Sequence, residues 1–306
     1  MKAIGIDIGG TRIKGIFMDA DGTAYSRTEE LTQAELGREA ILGALYHVID
    51  RLLVGTTKVE GIGVGTAGRV NTSTGQVIYA TDNLPGWHGL QLQQLLESRY
   101  KLPVSVDNDA NTALLGEHWL GLEKRVDDLC MLTLGTGVGG ANMIQGQLQR
   151  GHYYQGGEWG HLLLAAGGRP CNCGLHGCIE QYLSGTALVR DARERTGEPY
   201  THGQEVFEAA SGGDAKAREV VTQYVDWLAL AIHQVAVSVN PELVLIGGGV
   251  IHSKHLWWQQ LLERLEHYRI PVGVGAAQLG NQAGSIGAAR LIFNELTRRG
   301  EQQHAN

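Results

Sequence analysis

Three features are missing from this sequence: a long apolar run, a basic face and a secretion signal. No apolar stretch approaches membrane-spanning length, and the short one at the start is interrupted by Asp7, which does not fit a signal peptide. The 32 acidic residues outnumber the 25 basic ones, for a net charge of −7. A nucleic-acid or membrane partner would need a basic surface, so neither is expected. A cytoplasmic protein is predicted, in which clustered cysteines favour metal binding over disulfides.

The chain is long for a single core at 306 residues, which predicts two lobes. Its 44 glycines are bunched in short runs, where the backbone must turn sharply or approach a ligand closely. Apolar, strand-like segments at 2–8 and 11–18, which are predicted to form a hairpin, alternate with helical patterns such as 214–239, and this alternation predicts an α/β fold. A strand followed by glycines occurs at 6–10 and again at 132–137, which suggests two similar lobes.

Glycine clusters mark three turns that could hold a nucleotide. DIGGT at 7–11 could face a phosphate with its N–H groups, with Lys14 in reach of the same anion, although an ordinary hairpin turn is the alternative. LGTGVGG at 134–140 has the spacing of a dinucleotide fingerprint, but a strand-like segment follows where that motif needs a helix. A Walker loop is excluded as well, since no Gly-Lys-Ser/Thr occurs. LIGGGV at 245–250 could let a nucleobase or ribose lie against the backbone.

Cysteines are few, yet Cys171, Cys173 and Cys178 lie together, with His161 nearby in the sequence. Thiolates plus imidazole suit tetrahedral Zn²⁺, and four protein ligands leave no open position, so the metal is predicted to be structural. Free thiols in a loop are the alternative. A redox pair is disfavoured because the Cys-x-x-Cys spacing is absent here. Cys130, in an apolar segment, is predicted to be an ordinary core residue.

Acidic and amide side chains follow a short strand in VSVDNDAN at 104–111. Asp107, Asn108 and Asp109 stand where a helix begins, so one of them is expected to act as its N-cap. A catalytic carboxylate is the other interpretation.

Three glycine turns in this order resemble the sugar kinase, Hsp70 and actin superfamily. LGTGVGGANMIQGQLQRGHYYQGGEWGH and CNCGLHGCIEQ resemble signatures of the ROK family of bacterial sugar kinases and repressors, apart from Asn172 where that family usually has Gly. The resemblance implies a two-lobed actin-like ATPase fold, with a ribonuclease H-like motif repeated and a zinc-bound loop. It places an N-terminal α/β lobe at 1–118, completed by a C-terminal helix at 288–306. The second lobe, at 119–287, carries the zinc loop at 156–181.

The resemblance also implies roles for individual residues. Asp109 would be the general base, and Asp7 would hold Mg²⁺ through water. Residues that would bind ATP and its phosphates are Asp7, Gly9, Gly10, Thr11, Lys14, Gly135, Thr136, Gly137, Gly247 and Gly248. Residues that would bind sugar are Gly65, Asn83, Asn108, Asp109, Glu158, His161 and Glu180. For Gly65 and Asn83, ordinary loop residues are the alternative.

The expected activity is that of an ATP-dependent hexose kinase acting on the 6-hydroxyl of glucose or a similar hexose. Its cofactors would be ATP, Mg²⁺ and structural Zn²⁺, and its assembly a homodimer. An N-acetylmannosamine kinase of the same family is the alternative substrate. A repressor-type or non-catalytic sugar-sensing protein is the alternative class. The repressors carry a helix-turn-helix before the first strand, whereas this sequence begins that strand at Lys2, and Asp109 opposes a purely sensing role.

Overall fold

The computed structural model describes residues 1–56, 58–81 and 83–304. The strands in this part of the chain are β1 Lys2–Ile8, β2 Arg12–Asp19, β3 Ala24–Leu31, β4 Ile62–Thr66, β5 Arg69–Asn71, β6 Gln76–Tyr79, β7 Val104–Asn108, β8 Leu129–Leu134, β9 Val138–Ile144, β10 Gln147–Leu148, β11 Leu243–Gly247 and β12 Gly273–Ala276. The α-helices are α1 Arg38–Leu53, α2 Leu92–Tyr100, α3 Asp109–Gly116, α4 Glu180–Leu183, α5 Gly185–Thr196, α6 Gly203–Ser211, α7 Ala215–Val239, α8 Trp258–His267 and α9 Ala283–His304. The α/β prediction is confirmed.

The first of two compact units, unit 1, comprises Met1–Arg125, Arg150–Gln155 and Gln278–Asn306. Its 5-stranded sheet has the order β3-β2-β1-β4-β7. β1 and β2 form the predicted antiparallel hairpin, and β1, β4 and β7 run parallel. Strand β3, which the sequence analysis did not predict, has a largely polar and exposed sequence (AYSRTEEL) without clear apolar alternation.

Unit 2 comprises Val126–Gln149 and Gly156–Ala277. Its 5-stranded sheet, β10-β9-β8-β11-β12, repeats the strand order and directions of the first one. The core lies between this sheet and helices that include α5, α6 and α7. Helix α7 corrects the expectation that no apolar stretch approaches membrane-spanning length, because by length and composition it could cross a membrane. Half of its apolar window is buried inside this core.

Helix α9 packs against the first sheet so closely that backbone touches backbone. A Cβ atom on Gly63 of β4 would overlap the carbonyl oxygen of Ala288, and one on Gly5 of β1 would overlap that of Ser285. On the helix itself, a Cβ on Gly287 would overlap the carbonyl oxygen of Thr112 in α3. The helix begins at Ala283, ahead of the predicted start at 288. Its first turns contain glycines, which weaken a helix in isolation but are required here for close packing.

We predict that Gly287→Ala destabilises the protein, by about 1–3 kcal/mol, because the new methyl group has no room against α3. Helix propensity alone predicts the opposite sign, a gain of about 1 kcal/mol. Gly300→Ala is the matched control on the same helix, since nothing lies within 4 Å of its Cβ position, and it should be neutral or stabilising. Urea denaturation measures both variants. Equal stabilisation by the two would show that α9 does not need this contact.

Candidate active site

The turn DIGGT, between β1 and β2, opens onto a cavity of about 710 Å³ in unit 1. The N–H of Gly9 donates to the carbonyl oxygen of Arg12 (3.0 Å), and the Thr32 hydroxyl donates to the Gly9 carbonyl oxygen (2.7 Å). The cavity is lined by Asp7, Gly9, Gly10, Thr11, Arg12, Lys14, Gly15, Arg27, Thr28, Glu29, Asn281, Gln282 and Ser285. The five residues predicted to hold phosphate in this unit therefore do lie around one space.

Asp7 stands at the base of this turn in an environment that opposes its charge. Burial, assisted by the negative charge of Asp109, raises its pKa to about 7, while Lys14 acts in the opposite direction. Helix α9 contributes to the burial, because the Cβ position of Gly284 lies 2.7 Å from the Asp7 carboxyl carbon. Such a carboxylate would be stabilised by a cation.

The register of the parallel strands brings three of the relevant residues side by side. Asp7 of β1 pairs with Gly65 of β4, and Gly65 pairs with Asp107 of β7. These strands end at the same edge of the sheet, where ligands of α/β proteins usually bind. Gly65 has no space for a side chain, because a Cβ would overlap the Thr112 hydroxyl. Asn83 lies in an exposed loop near the DIGGT turn, its carbonyl oxygen 3.6 Å from the Cβ position of Gly10.

Asn108 and Asp109 stand at the junction of β7 and α3. Asn108 is the N-cap of α3: its Oδ1 accepts hydrogen bonds from the N–H groups of Ala110 (2.9 Å) and Asn111 (3.1 Å), and its Nδ2 donates to the Gly68 carbonyl oxygen (2.9 Å). Capping explains this residue without requiring a ligand. Asp109 is the first residue of the helix. Burial raises its pKa, although hydrogen bonds from Ala110, its own backbone and Asn108 oppose the rise.

A second cavity, of about 810 Å³, lies within unit 2. Gly135 and Thr136 line it, and the N–H of Gly185 donates to the Gly135 carbonyl oxygen (2.7 Å). The turn after β8 is thus attached to the N-terminus of α5, whose helix dipole suits an anion. Of the two glycines predicted to bind nucleotide near β11, Gly247 is the last residue of the strand, and its Cβ position lies 2.5 Å from Met131 Cε. Gly248 approaches the backbone of Leu134 with a φ of +83°, and the cavity is bordered instead by Gly249.

Most of this cavity's lining was not found by sequence reasoning. It comes from α5, the α5–α6 connection, α6 and the 3₁₀ helix Gly249–Leu256. The residues are Thr186, Val189, Arg190, Arg193, Glu194, Thr201, His202, Gly203, Gln204, Phe207, Val250, His252 and Ser253. They form no short motif in the sequence, so their proximity arises from the packing of the helices.

The three clustered cysteines and His161 do come together. Their four ligand atoms, one per residue, all lie within 4.8 Å of one another. Cys173 Sγ lies 3.6 Å from Cys178 Sγ, and Cys171 Sγ lies 3.7 Å from His161 Nδ1. Sulfur atoms at the corners of a tetrahedron around zinc would be roughly 3.8 Å apart, given Zn–S bonds of about 2.3 Å. The donor set and its spacing fit a closed zinc site, and His161 keeps its second ring nitrogen for another partner.

Glu180 connects the end of this cysteine loop to the second glycine turn. Its Oε2 accepts a hydrogen bond from the N–H of Val138 (2.9 Å), and a Cβ on Gly137 would overlap the same carboxylate. Glu158 precedes the short 3₁₀ helix Trp159–His161, which packs against β9. Both acids thus flank the start of β9 in unit 2.

Comparison with known proteins places these features in one family. The model of the ROK family matches residues 3–295. A glucokinase from Halalkalibacterium halodurans is 36% identical, over 94% of each chain. Among solved structures, the ROK hexokinase from Thermus thermophilus has a TM-score of 0.85 at 34% identity, covering 97% of this chain and 100% of its own.

A third relative was solved with ligands. The ROK family glucokinase from Streptomyces griseus, in complex with glucose and AMPPNP, has a TM-score of 0.83 at 32% identity, covering 95% of this chain and 99% of its own. Family model, sequence relatives and structural relatives agree over almost the whole length. The chain therefore belongs to the ROK family.

Proposed function

We propose that this protein is an ATP-dependent hexose kinase that transfers the γ-phosphoryl group of ATP to the 6-hydroxyl of glucose. The observation that carries the proposal is the position of Asp109, a carboxylate with a raised pKa at the edge of the sheet where β1, β4 and β7 end. The similarity to glucokinases over nearly the full length supports glucose as the acceptor. A homodimer in the cytoplasm remains a prediction from the family resemblance.

Asp109 would act as the general base. It would accept the proton of the 6-hydroxyl while that oxygen attacks the γ-phosphorus, the bond to the bridging oxygen breaks, and ADP leaves. No described residue forms an ion pair with Asp109, whereas the neighbouring Asp107 is paired with Arg150. Because a base needs an available lone pair, this contrast favours Asp109 over Asp107.

The cavity beside the DIGGT turn would hold phosphate oxygens. Lys14 supplies positive charge there, and the backbone of Gly9 and Gly10 lets an anion come close. Asp7 fits a Mg²⁺ ligand, through water, because its carboxylate is a hard oxygen donor whose charge is poorly compensated in the folded protein. When bound, Mg²⁺ neutralises charge on the phosphate oxygens. In unit 2, the cavity beside Gly135 and Thr136 would hold nucleotide.

Structural zinc would be held by His161, Cys171, Cys173 and Cys178, which would fix the loop that carries the sugar-binding acids. Glu158 and Glu180 are suited to hydroxyl recognition because each carboxylate can accept hydrogen bonds from two neighbouring hydroxyls. A sugar phosphate is disfavoured as an acceptor, since its charge would meet these acids.

The sugar specificity is tested with a panel of glucose, mannose, fructose, N-acetylglucosamine and N-acetylmannosamine, each with ATP and Mg²⁺ in an ADP-coupled assay. We expect the highest kcat/KM for glucose, because a site built to pair hydroxyls discriminates against substrates that leave polar groups unpaired. A kcat/KM about ten times higher for an N-acetylated hexose would replace glucose as the substrate and leave the mechanism intact. Absence of turnover on every sugar would contradict the kinase proposal.

For the base, Asp109→Asn should lower kcat by roughly two to four orders of magnitude, the usual contribution of general base catalysis. The dissociation constant for sugar, measured by calorimetry, should change much less because the amide keeps most of the shape. Asp21→Asn, an exposed acid in the same unit, is the control and should leave kcat unchanged. Near-normal turnover of Asp109→Asn would show that this residue is only part of the first turn of α3 and is not the base.

The zinc site is tested with Cys178→Ser. Purified protein should contain about one zinc per chain by elemental analysis, and this variant should lose both the metal and sugar binding, because metal-site free energy orders the loop. Cys130→Ala is the control, since Cys130 is buried in β8 outside the cluster, and it should retain zinc. A metal-free protein with unchanged sugar affinity would contradict the proposed role of the metal.

A further inference from the structure

Asp107, two positions ahead of Asp109, has a carboxylate that is almost fully buried and fully engaged. Asp107 lies near the end of β7 and is 1% exposed. Oδ1 accepts hydrogen bonds from the N–H of Asn108 (2.8 Å) and from Nδ2 of Asn111 (2.9 Å). Oδ2 accepts from Nε (2.7 Å) and Nη2 (2.5 Å) of Arg150. Both oxygens of this carboxylate are therefore engaged with protein groups, so Asp107 is not available as the base for a substrate hydroxyl.

Arg150 comes from a short segment that is placed unusually in the chain. Residues 150–155 belong to unit 1, although their sequence neighbours on both sides belong to unit 2. Two side chains of this segment contact unit 1: Arg150 pairs with Asp107, and the Tyr154 hydroxyl donates to Asn71 Oδ1 (2.9 Å). Tyr154 also has a φ of +56°, a left-handed conformation that a residue with a side chain adopts at a cost.

The network around Asp107 fixes the backbone that leads into α3. One oxygen of Asp107 holds the N–H of Asn108, the N-cap, and also the side chain of Asn111 in the first turn of the helix. Asp109 lies between these two anchored residues, so the direction of its side chain depends on both. The guanidinium holds the other oxygen through two charge-assisted hydrogen bonds, which compensate the charge of the carboxylate.

We propose that Arg150 is a positioning residue for phosphoryl transfer, acting through Asp107 on the orientation of Asp109. The proposal rests on the proposed function for its catalytic consequence, but the geometric part is independent of it. The physical reason is the burial of the Asp107 carboxylate, which Arg150 pairs from a partly buried position. An exposed ion pair contributes little, whereas loss of one partner here leaves a desolvated carboxylate uncompensated. The β7–α3 junction must then shift.

The test compares Arg150→Gln with Arg99→Gln, a control in the same unit whose pair with Asp50 is about half exposed on both sides. Hydrogen exchange of peptides covering 104–112 reports the junction directly and does not require activity. We expect faster exchange there in Arg150→Gln, with no change over α1. We also expect kcat to fall roughly 10- to 100-fold, as small misplacements of a catalytic group do, while the KM for sugar changes only a few-fold. Arg99→Gln should match the wild type in all of these.

The double variant Asp107→Asn/Arg150→Gln separates positioning from simple loss of stability. Two neutral amides can hydrogen-bond to each other, so this variant should recover part of kcat and of the protection at 104–112 relative to Arg150→Gln alone. Unchanged exchange and kcat in Arg150→Gln would overturn the proposal, as would an exchange increase spread evenly over unit 1. If the wild type phosphorylated no sugar, the proposed function would fail, and exchange at the junction would still decide whether Arg150 orders it.

Discussion

The contact between α9 and the first sheet is the constraint on which unit 1 depends. Its backbone lies against β1, β4 and α3 at positions where a single methyl group would overlap a carbonyl oxygen, so small residues are needed on both sides. A layer packed this closely leaves no room for water between the helix and the face of the sheet that it covers. The same helix places Gly284 against Asp7, and this explains why an acid in an otherwise open turn has a raised pKa. Packing of the C-terminal residues thus sets the electrostatics of a turn near the N-terminus.

Three aspartates at that edge of the sheet illustrate how environment assigns different roles to one residue type. Asp107 forms an ion pair with a guanidinium and accepts hydrogen bonds from two amides. Asp109 lacks an ion-pair partner among the described residues. The pKa of Asp7 is raised by burial, and the charge of Lys14 only partly offsets this rise. The negative charge of Asp109 opposes ionisation of Asp7, so a cation nearby would stabilise the Asp7 carboxylate.

In unit 2, the cysteine loop and the second glycine turn form one connected arrangement. Cys178 ends the loop, Glu180 begins α4, and the carboxylate of Glu180 accepts a hydrogen bond from the turn at Val138. A side chain at Gly137 would have to displace this carboxylate. A metal that orders the loop would therefore also order an acid and a turn that are distant from it in sequence.

The sequence by itself determined the α/β class, the hairpin of β1 and β2, the long helix α7 and the cysteine–histidine cluster, because each of these has a local period or a short motif. The assignment of Asn108 as a cap needed the structure, since Asp107, Asn108 and Asp109 are all good caps by composition. Strand β3 and the start of α9 were missed because their residues have weak local propensity and are held by neighbours. The lining of the unit 2 cavity and the pairing of Arg150 with Asp107, 43 positions apart, depend on the tertiary fold alone. Contacts over such separations carry no local pattern, because the free energy that selects them comes from burial and pairing in the folded chain.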